Sequence, residues 1–123
     1  MSARPLILVV DDDQPIRLLM RSLLNEFGFE PILAGNGDEA IEAARTRRPD
    51  LMLLDKNMPG TSGEDVIRTL RAEPDCATLP ILLLTGDPVD PAELALLGAN
   101  GWVQKPFDVM ALVEKIRATL GIT

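Results

Sequence analysis

The chain has 123 residues, 46% of them hydrophobic, which suits one ordinary domain with a real core and not two. It contains no histidine, which excludes Ser-His and Cys-His nucleophilic pairs, His-ligated zinc and a phosphohistidine of its own, and leaves any divalent ion to oxygen ligands. The formal net charge of -7 argues against a direct nucleic-acid partner, which calls for a basic surface. Along the chain, aliphatic runs alternate with amphipathic stretches. Leu6 to Val10 reads as a first strand, and Asp11, Asp12 and Asp13 follow it directly. Ile16, Leu19, Met20, Leu23, Leu24 and Phe27 recur at three- and four-residue spacing, the mark of a helix face. Asp13 is placed to cap that helix, Pro15 suits its first turn and Gly28 ends it. Pro31 to Ala34 predicts a second strand whose proline suits an edge. Asn36-Gly37-Asp38 opens a helix over Glu39 to Arg47, closed by Pro49.

Leu51 to Leu54 is a continuous apolar run ending in Asp55, the pattern of a strand buried on both faces. Met58 to Gly63 is turn-rich, and Val66, Ile67 and Leu70 form the inner face of a third helix. Pro80 to Thr85 predicts the fourth strand. Asp90 and Pro91 start a short helix that ends near Gly98. Trp102 to Gln104 is a fifth strand, and Asp108 caps a last helix with Val109, Leu112, Val113, Ile116 and Leu120 on one face. Five strand-helix units without a repeat or linker predict an α/β fold. It is a doubly wound (βα)5, flavodoxin-like domain with a five-stranded parallel sheet in the order 2-1-3-4-5. The expected extent is a single domain over residues 1–123.

Ligands of such sheets bind outside the carboxyl ends of the strands, where the strand order reverses. The strand ends here carry Asp11 and Asp12, then Asp55, then Thr85, with Lys105 after the fifth strand. Three carboxylates could hold a hard cation, a lysine and a hydroxyl could engage phosphoryl oxygens, and one aspartate could be a nucleophile. Taken singly, each residue has a bland reading as a cap, a strand end or a surface lysine. Their joint position at the strand ends is what points to phosphoryl chemistry.

The segments VVDDDQPIR, LLDKNMPGTSG, LLLTG and WVQKPF, in that order, resemble the receiver domain of two-component response regulators across essentially the whole chain. The resemblance implies a phosphorylation-dependent switch rather than an enzyme, one that promotes only its own phosphoryl transfer and dephosphorylation. It implies Asp55 as phosphoacceptor and Mg2+ held by Asp11, Asp12, Asp55 and the backbone carbonyl of Asn57. It implies Thr85 as the switch hydroxyl, Lys105 as the phosphate-pairing lysine, a cis Lys105-Pro106 bond, and Trp102 where the family usually has a mobile aromatic. The implied partners are a sensor histidine kinase or phosphotransfer protein and an unidentified downstream protein. Lys56 follows the acceptor at a variable family position and adds a positive charge there. The stretch from Thr85 to Trp102 is about two residues shorter than the family spacing, which predicts a short or shifted fourth helix. Asn57 and Asp87 flank the expected line of water attack, so the phosphorylated state is expected to decay by itself.

Two alternatives within the class are a fragment of a hybrid kinase or larger regulator and a degenerate receiver used only for docking. A haloacid-dehalogenase-type phosphatase also forms an aspartyl phosphate, and Asp11-Asp12-Asp13 contains its Asp-x-Asp. Pro15, however, stands where that family places Thr or Val. Cys76 is the only cysteine, no run approaches a membrane span, and Met1 to Pro5 lacks an apolar signal core. No membrane partner and a cytoplasmic location are the expectation.

Overall fold

The computed structural model describes residues 4–122; residues 1–3, and with them part of the Met1 to Pro5 reading, lie outside it. Among the described residues the strands are β1 (Leu6–Val10), β2 (Glu30–Ala34), β3 (Leu51–Asp55), β4 (Ile81–Thr85) and β5 (Gly101–Gln104). The helices are α1 (Gln14–Glu26), α2 (Gly37–Arg47), α3 (Gly63–Arg71), α4 (Pro91–Leu97) and α5 (Val109–Leu120). All strand pairs are parallel and the order is β2-β1-β3-β4-β5, as the alternation predicts.

Every residue of β3 and β4 is buried, because both faces of the central sheet are covered. Side chains alternate between two cores. Leu8, Val10, Met52, Leu54, Ile81 and Leu83 face Val66, Ile67 and Leu70 of α3 and the inner side of α2. Ile7, Val9, Leu51, Leu53, Leu82 and Leu84 face Met20, Leu23 and Leu24 of α1 and Leu112, Val113 and Ile116 of α5.

The caps follow local chemistry with one exception. Asn36, Ser62, Asp90 and Asp108 each accept a backbone N–H of the helix they start. Asp13 occupies the cap position of α1 without a side-chain cap bond. Its expected capping role fails, and Pro15 fills one of the two positions whose N–H a cap receives, proline having none. Gly28 follows α1 at φ +89, a left-handed conformation that favours glycine.

A 3-10 turn at Pro74–Cys76 is additional to the predicted elements. The arginines at the end of α2 are more than a solvated helix end. Arg45 pairs with Glu73 at 2.8 Å and Arg48 with Asp75 at 3.2 Å, tying α2 to that turn. Met20, Met52 and Met58 are buried as filler, whereas Met110 is exposed. As expected, α4 is short, and none of its seven residues is buried.

Candidate functional site

The register that aligns Val10 with Leu54 brings the next residues, Asp11 and Asp55, side by side where the strand order reverses. By strand alternation Asp11, Asp55 and Lys105 continue the faces of Val9, Leu53 and Val103, so all three lie on the α1/α5 side. Lys105 Nζ stands 3.0 Å from Asp11 Oδ2 and 3.4 Å from Asp55 Oδ2. Asp11 and Asp55 are buried, while Asp12 is exposed.

The loops hold the carboxylates in place. Asp11 Oδ1 accepts the N–H of Asp13 at 3.0 Å, and the Asp11 carbonyl accepts Arg17 Nη1 at 2.7 Å. Asp55 Oδ1 accepts the N–H of Asn57 at 3.1 Å. Burial pushes the Asp55 carboxyl above its ordinary pKa, against the opposing pull of the Asn57 N–H and the Lys105 charge. Burial also works to lower the Lys105 ammonium, but its bond to Asp11 and the charges of Asp55 and Asp11 outweigh that, and its pKa is raised.

Oxygen atoms from Asp11, Asp12 and Asp55 all lie within 4.8 Å of one another. An octahedral Mg2+ with bonds of about 2.1 Å separates its ligand oxygens by about 3 to 4.2 Å. The cluster therefore needs little closure to hold one. The donor set is oxygen only, as a hard cation requires.

Thr85 and Trp102 belong to the other side of the sheet. Thr85 continues the face of Ile81 and Leu83, and Trp102, paired with Leu83, packs in part against the α2/α3 core. The buried Thr85 hydroxyl accepts the N–H of Asp87 at 3.2 Å, and its carbonyl accepts the N–H of Lys105 at 2.8 Å. The lysine and the threonine are thus joined through backbone, not through side chains. The Lys105-Pro106 bond is cis.

Gly63 explains part of the LLDKNMPGTSG segment. A Cβ there would lie 2.8 Å from the Asp55 carbonyl oxygen, so glycine lets the start of α3 pack directly on the end of β3. Lys56, noted in the sequence only as an added charge, pairs with Glu93 of α4 at 3.0 Å. The two are 37 residues apart on different elements, and no local pattern announces the contact.

The family model of the response regulator receiver domain matches residues 7–117. The chain belongs to that family. Its functional class is therefore phosphorylation-dependent two-component signalling, and receivers are generally not catalytic enzymes. The receiver is 42% identical over 119 residues to the DNA-binding response regulator MtrA of Mycolicibacterium smegmatis, covering 95% of this chain and 51% of that protein. It spans about half the length of the curated relatives it matches. Its fold superposes on the Vibrio cholerae chemotaxis protein CheY4 with a TM-score of 0.89 at 32% identity, covering 95% of this chain and 99% of that one. It also matches the receiver domain of the sensor histidine kinase PA1611 from Pseudomonas aeruginosa, with a TM-score of 0.88 and 26% identity over 97% and 99% of the two chains. That structure has a magnesium ion coordinated in its active site cleft.

These relatives correct one expectation. The net charge argued against a direct nucleic-acid partner, yet the matched regulator MtrA is named as DNA-binding. The charge of a segment that matches half of a protein does not bound what the whole protein touches, so the exclusion falls. No helix among the described residues is long and apolar enough to cross a membrane.

Proposed function

We propose that residues 1–123 act as a single cytoplasmic receiver in which Asp55 accepts a phosphoryl group from a sensor histidine kinase or phosphotransfer protein. One observation carries this reading: carboxylate oxygens of Asp55, Asp11 and Asp12 lie within 4.8 Å of one another, and Asp55 stands 3.4 Å from the Lys105 ammonium. Asp11, Asp12, Asp55 and the backbone carbonyl of Asn57 would hold Mg2+. When bound, the ion supplies charge neutralisation for the phosphoryl oxygens.

A carboxylate oxygen of Asp55 attacks phosphorus, the bond from phosphorus to the donor nitrogen breaks, and the released imidazole keeps the electron pair and is protonated. Asn57 N–H and Lys105 orient the carboxylate beforehand, so little reorganisation is needed during transfer. Lys105 then follows the new negative charge from Asp11 and Asp55 to a phosphoryl oxygen. The Thr85 hydroxyl turns from Asp87 N–H toward the phosphoryl group, and Trp102, one strand step behind on the same face, adjusts its packing. Asn57 and Asp87 are exposed polar residues beside the acceptor, and they admit the water that returns Asp55 to a carboxylate. The altered surface is what a downstream protein reads. A regulator and a histidine kinase among the similar proteins favour a receiver that works within longer chains as well.

The test is an intact mass after incubation with Mg2+ and a small acyl phosphate, with Asp55→Asn and a chelated sample alongside. One added phosphoryl group, absent from both controls, is the expected result. Equal labelling of Asp55→Asn would remove Asp55 as acceptor. If nothing is captured, beryllofluoride distinguishes rapid hydrolysis from an inactive site.

A further inference from the structure

Helix α4 is held differently from the other helices. None of its residues is buried, Leu96 is 89% exposed, and only Leu94 and Leu97 pack in part against the core. Polar clamps grip its two ends. Beyond its last turn, Arg71 Nε and Nη2 hold the Gly98 carbonyl at 3.0 and 2.8 Å. In its first turn, Glu93 is held by Lys56.

Lys56 is the residue after Asp55, and its backbone is fixed. Its N–H donates to the Leu84 carbonyl at 3.0 Å, and its carbonyl accepts Gly63 N–H at 3.3 Å. Only its side chain is free to respond to a change at the acceptor. That side chain is 19% exposed, so this ion pair is shielded from water far better than Arg48–Asp75 or Arg68–Asp65.

Formal charge gives the response a direction. Three carboxylates facing one ammonium would be balanced by a bound divalent ion. A phosphoryl group on Asp55 adds roughly one further negative charge and several strong acceptor oxygens. That excess arises one residue before Lys56 in the chain, and Lys105 is already engaged with Asp11 and Asp55. Glu93, with a side chain 42% exposed, offers a single carboxylate that water can solvate instead.

We propose that Lys56 and Glu93 form a charge-operated latch: phosphorylation of Asp55 draws the Lys56 ammonium from Glu93 toward the phosphoryl oxygens and frees the first turn of α4. The inference rests on Asp55 being the acceptor. No bond is made or broken beyond the phosphoryl transfer itself, and the ammonium keeps its proton throughout.

Amide hydrogen exchange across α4 tests it, on the full chain with Mg2+, with and without beryllofluoride, whose binding is followed separately by fluorine NMR. In the wild type, bound beryllofluoride should raise exchange in α4 on the order of threefold, the scale of a partly shielded ion pair. Glu93→Gln should show that faster exchange without beryllofluoride and gain little more on adding it. If Glu93→Gln exchanges at the wild-type rate, or if bound beryllofluoride leaves wild-type α4 unchanged, the latch is overturned while the acceptor stands. If beryllofluoride fails to bind, the acceptor reading falls and the switching falls with it.

Discussion

Replacing Gly63 with alanine sets two physical effects against each other. Gly63 is the first residue of α3, and helix propensity alone favours alanine there by up to about 1 kcal/mol. The surroundings oppose it. The new Cβ would lie 2.8 Å from the Asp55 carbonyl oxygen, 3.1 Å from Lys56 Cα and 3.1 Å from the Lys56 carbonyl oxygen. All three are backbone atoms, so no side chain can swing aside. The helix start is also pinned, because Ser62 caps it through Asp65 N–H and Gly63 N–H bonds the Lys56 carbonyl. Relief therefore requires shifting either α3 or the end of β3 by a few tenths of an ångström. Overpacking of this kind costs about 1–3 kcal/mol, which outweighs the propensity gain. A net loss of about 1–2 kcal/mol corresponds to about 4–8 °C in Tm for a chain of this size. Calorimetry with and without Mg2+ measures both parts of the effect. The metal-free Tm should fall, and the further stabilisation by Mg2+ should shrink, because the shifted segment carries Asp55, one of the carboxylates proposed to hold the ion. A Tm equal to or above wild type would mean that propensity governs this position and that the close approach of α3 to β3 does not.

Two further outcomes follow from charges held wholly or partly out of water. In chelator, Asp55→Asn should raise Tm at neutral pH. Burial lifts the folded-state pKa of Asp55, so ionisation works against the fold as pH rises through that value, and the amide removes this effect. The advantage should vanish as pH falls below about 3.9, where the carboxyl is protonated in both states; an advantage that persists there would contradict the burial argument. Arg71→Met should cost about 2–3 kcal/mol in urea unfolding, since it strips charged donors from the Gly98 and Cys76 carbonyls. Arg71→Lys should recover little, because a single ammonium lacks the fork that spans both carbonyls; a wild-type midpoint for that variant would show that the fork is dispensable.

The parts of the molecule legible in the sequence are those where local pattern and tertiary demand agree. Leu51 to Leu54 and Ile81 to Leu84 are uninterrupted apolar runs because both sheet faces are covered, and buried strands need no alternation. The strand-end positions of Asp11, Asp55, Thr85 and Lys105 follow from that reading and from the parallel topology. The sequence is silent where a partner is remote or a single residue changes the rule. Gly101 reads as a break, yet it begins β5; a Cβ there would press on Leu82 Cδ2 and Lys115 Cε at 3.1 and 3.0 Å. Asp13 has the chemistry of a cap, but Pro15 removes one of its targets. Lys56 and Glu93 each look like surface charges until the fold brings the first turn of α4 to the residue after β3.

The three consecutive aspartates after β1 divide their work by exposure and position. Asp13 lies outside the cluster, and its N–H binds Asp11 Oδ1, so it orients a carboxylate rather than capping a helix. Asp12 is exposed and so remains hydrated beside Asp11 and Asp55. Asp11 is buried, but Lys105 compensates it at 3.0 Å, closer than the same ammonium approaches Asp55. Asp55 is therefore the less completely compensated of the two buried carboxylates, which agrees with the upward push that burial exerts on it. An ion bound by the three carboxylates would add the positive charge that Lys105 alone leaves short. The like-charge cluster is tolerated because Asp12 is solvated and Asp11 is closely paired, and Asp55, held by the same ammonium at the longer distance, has the most to gain from a further cation.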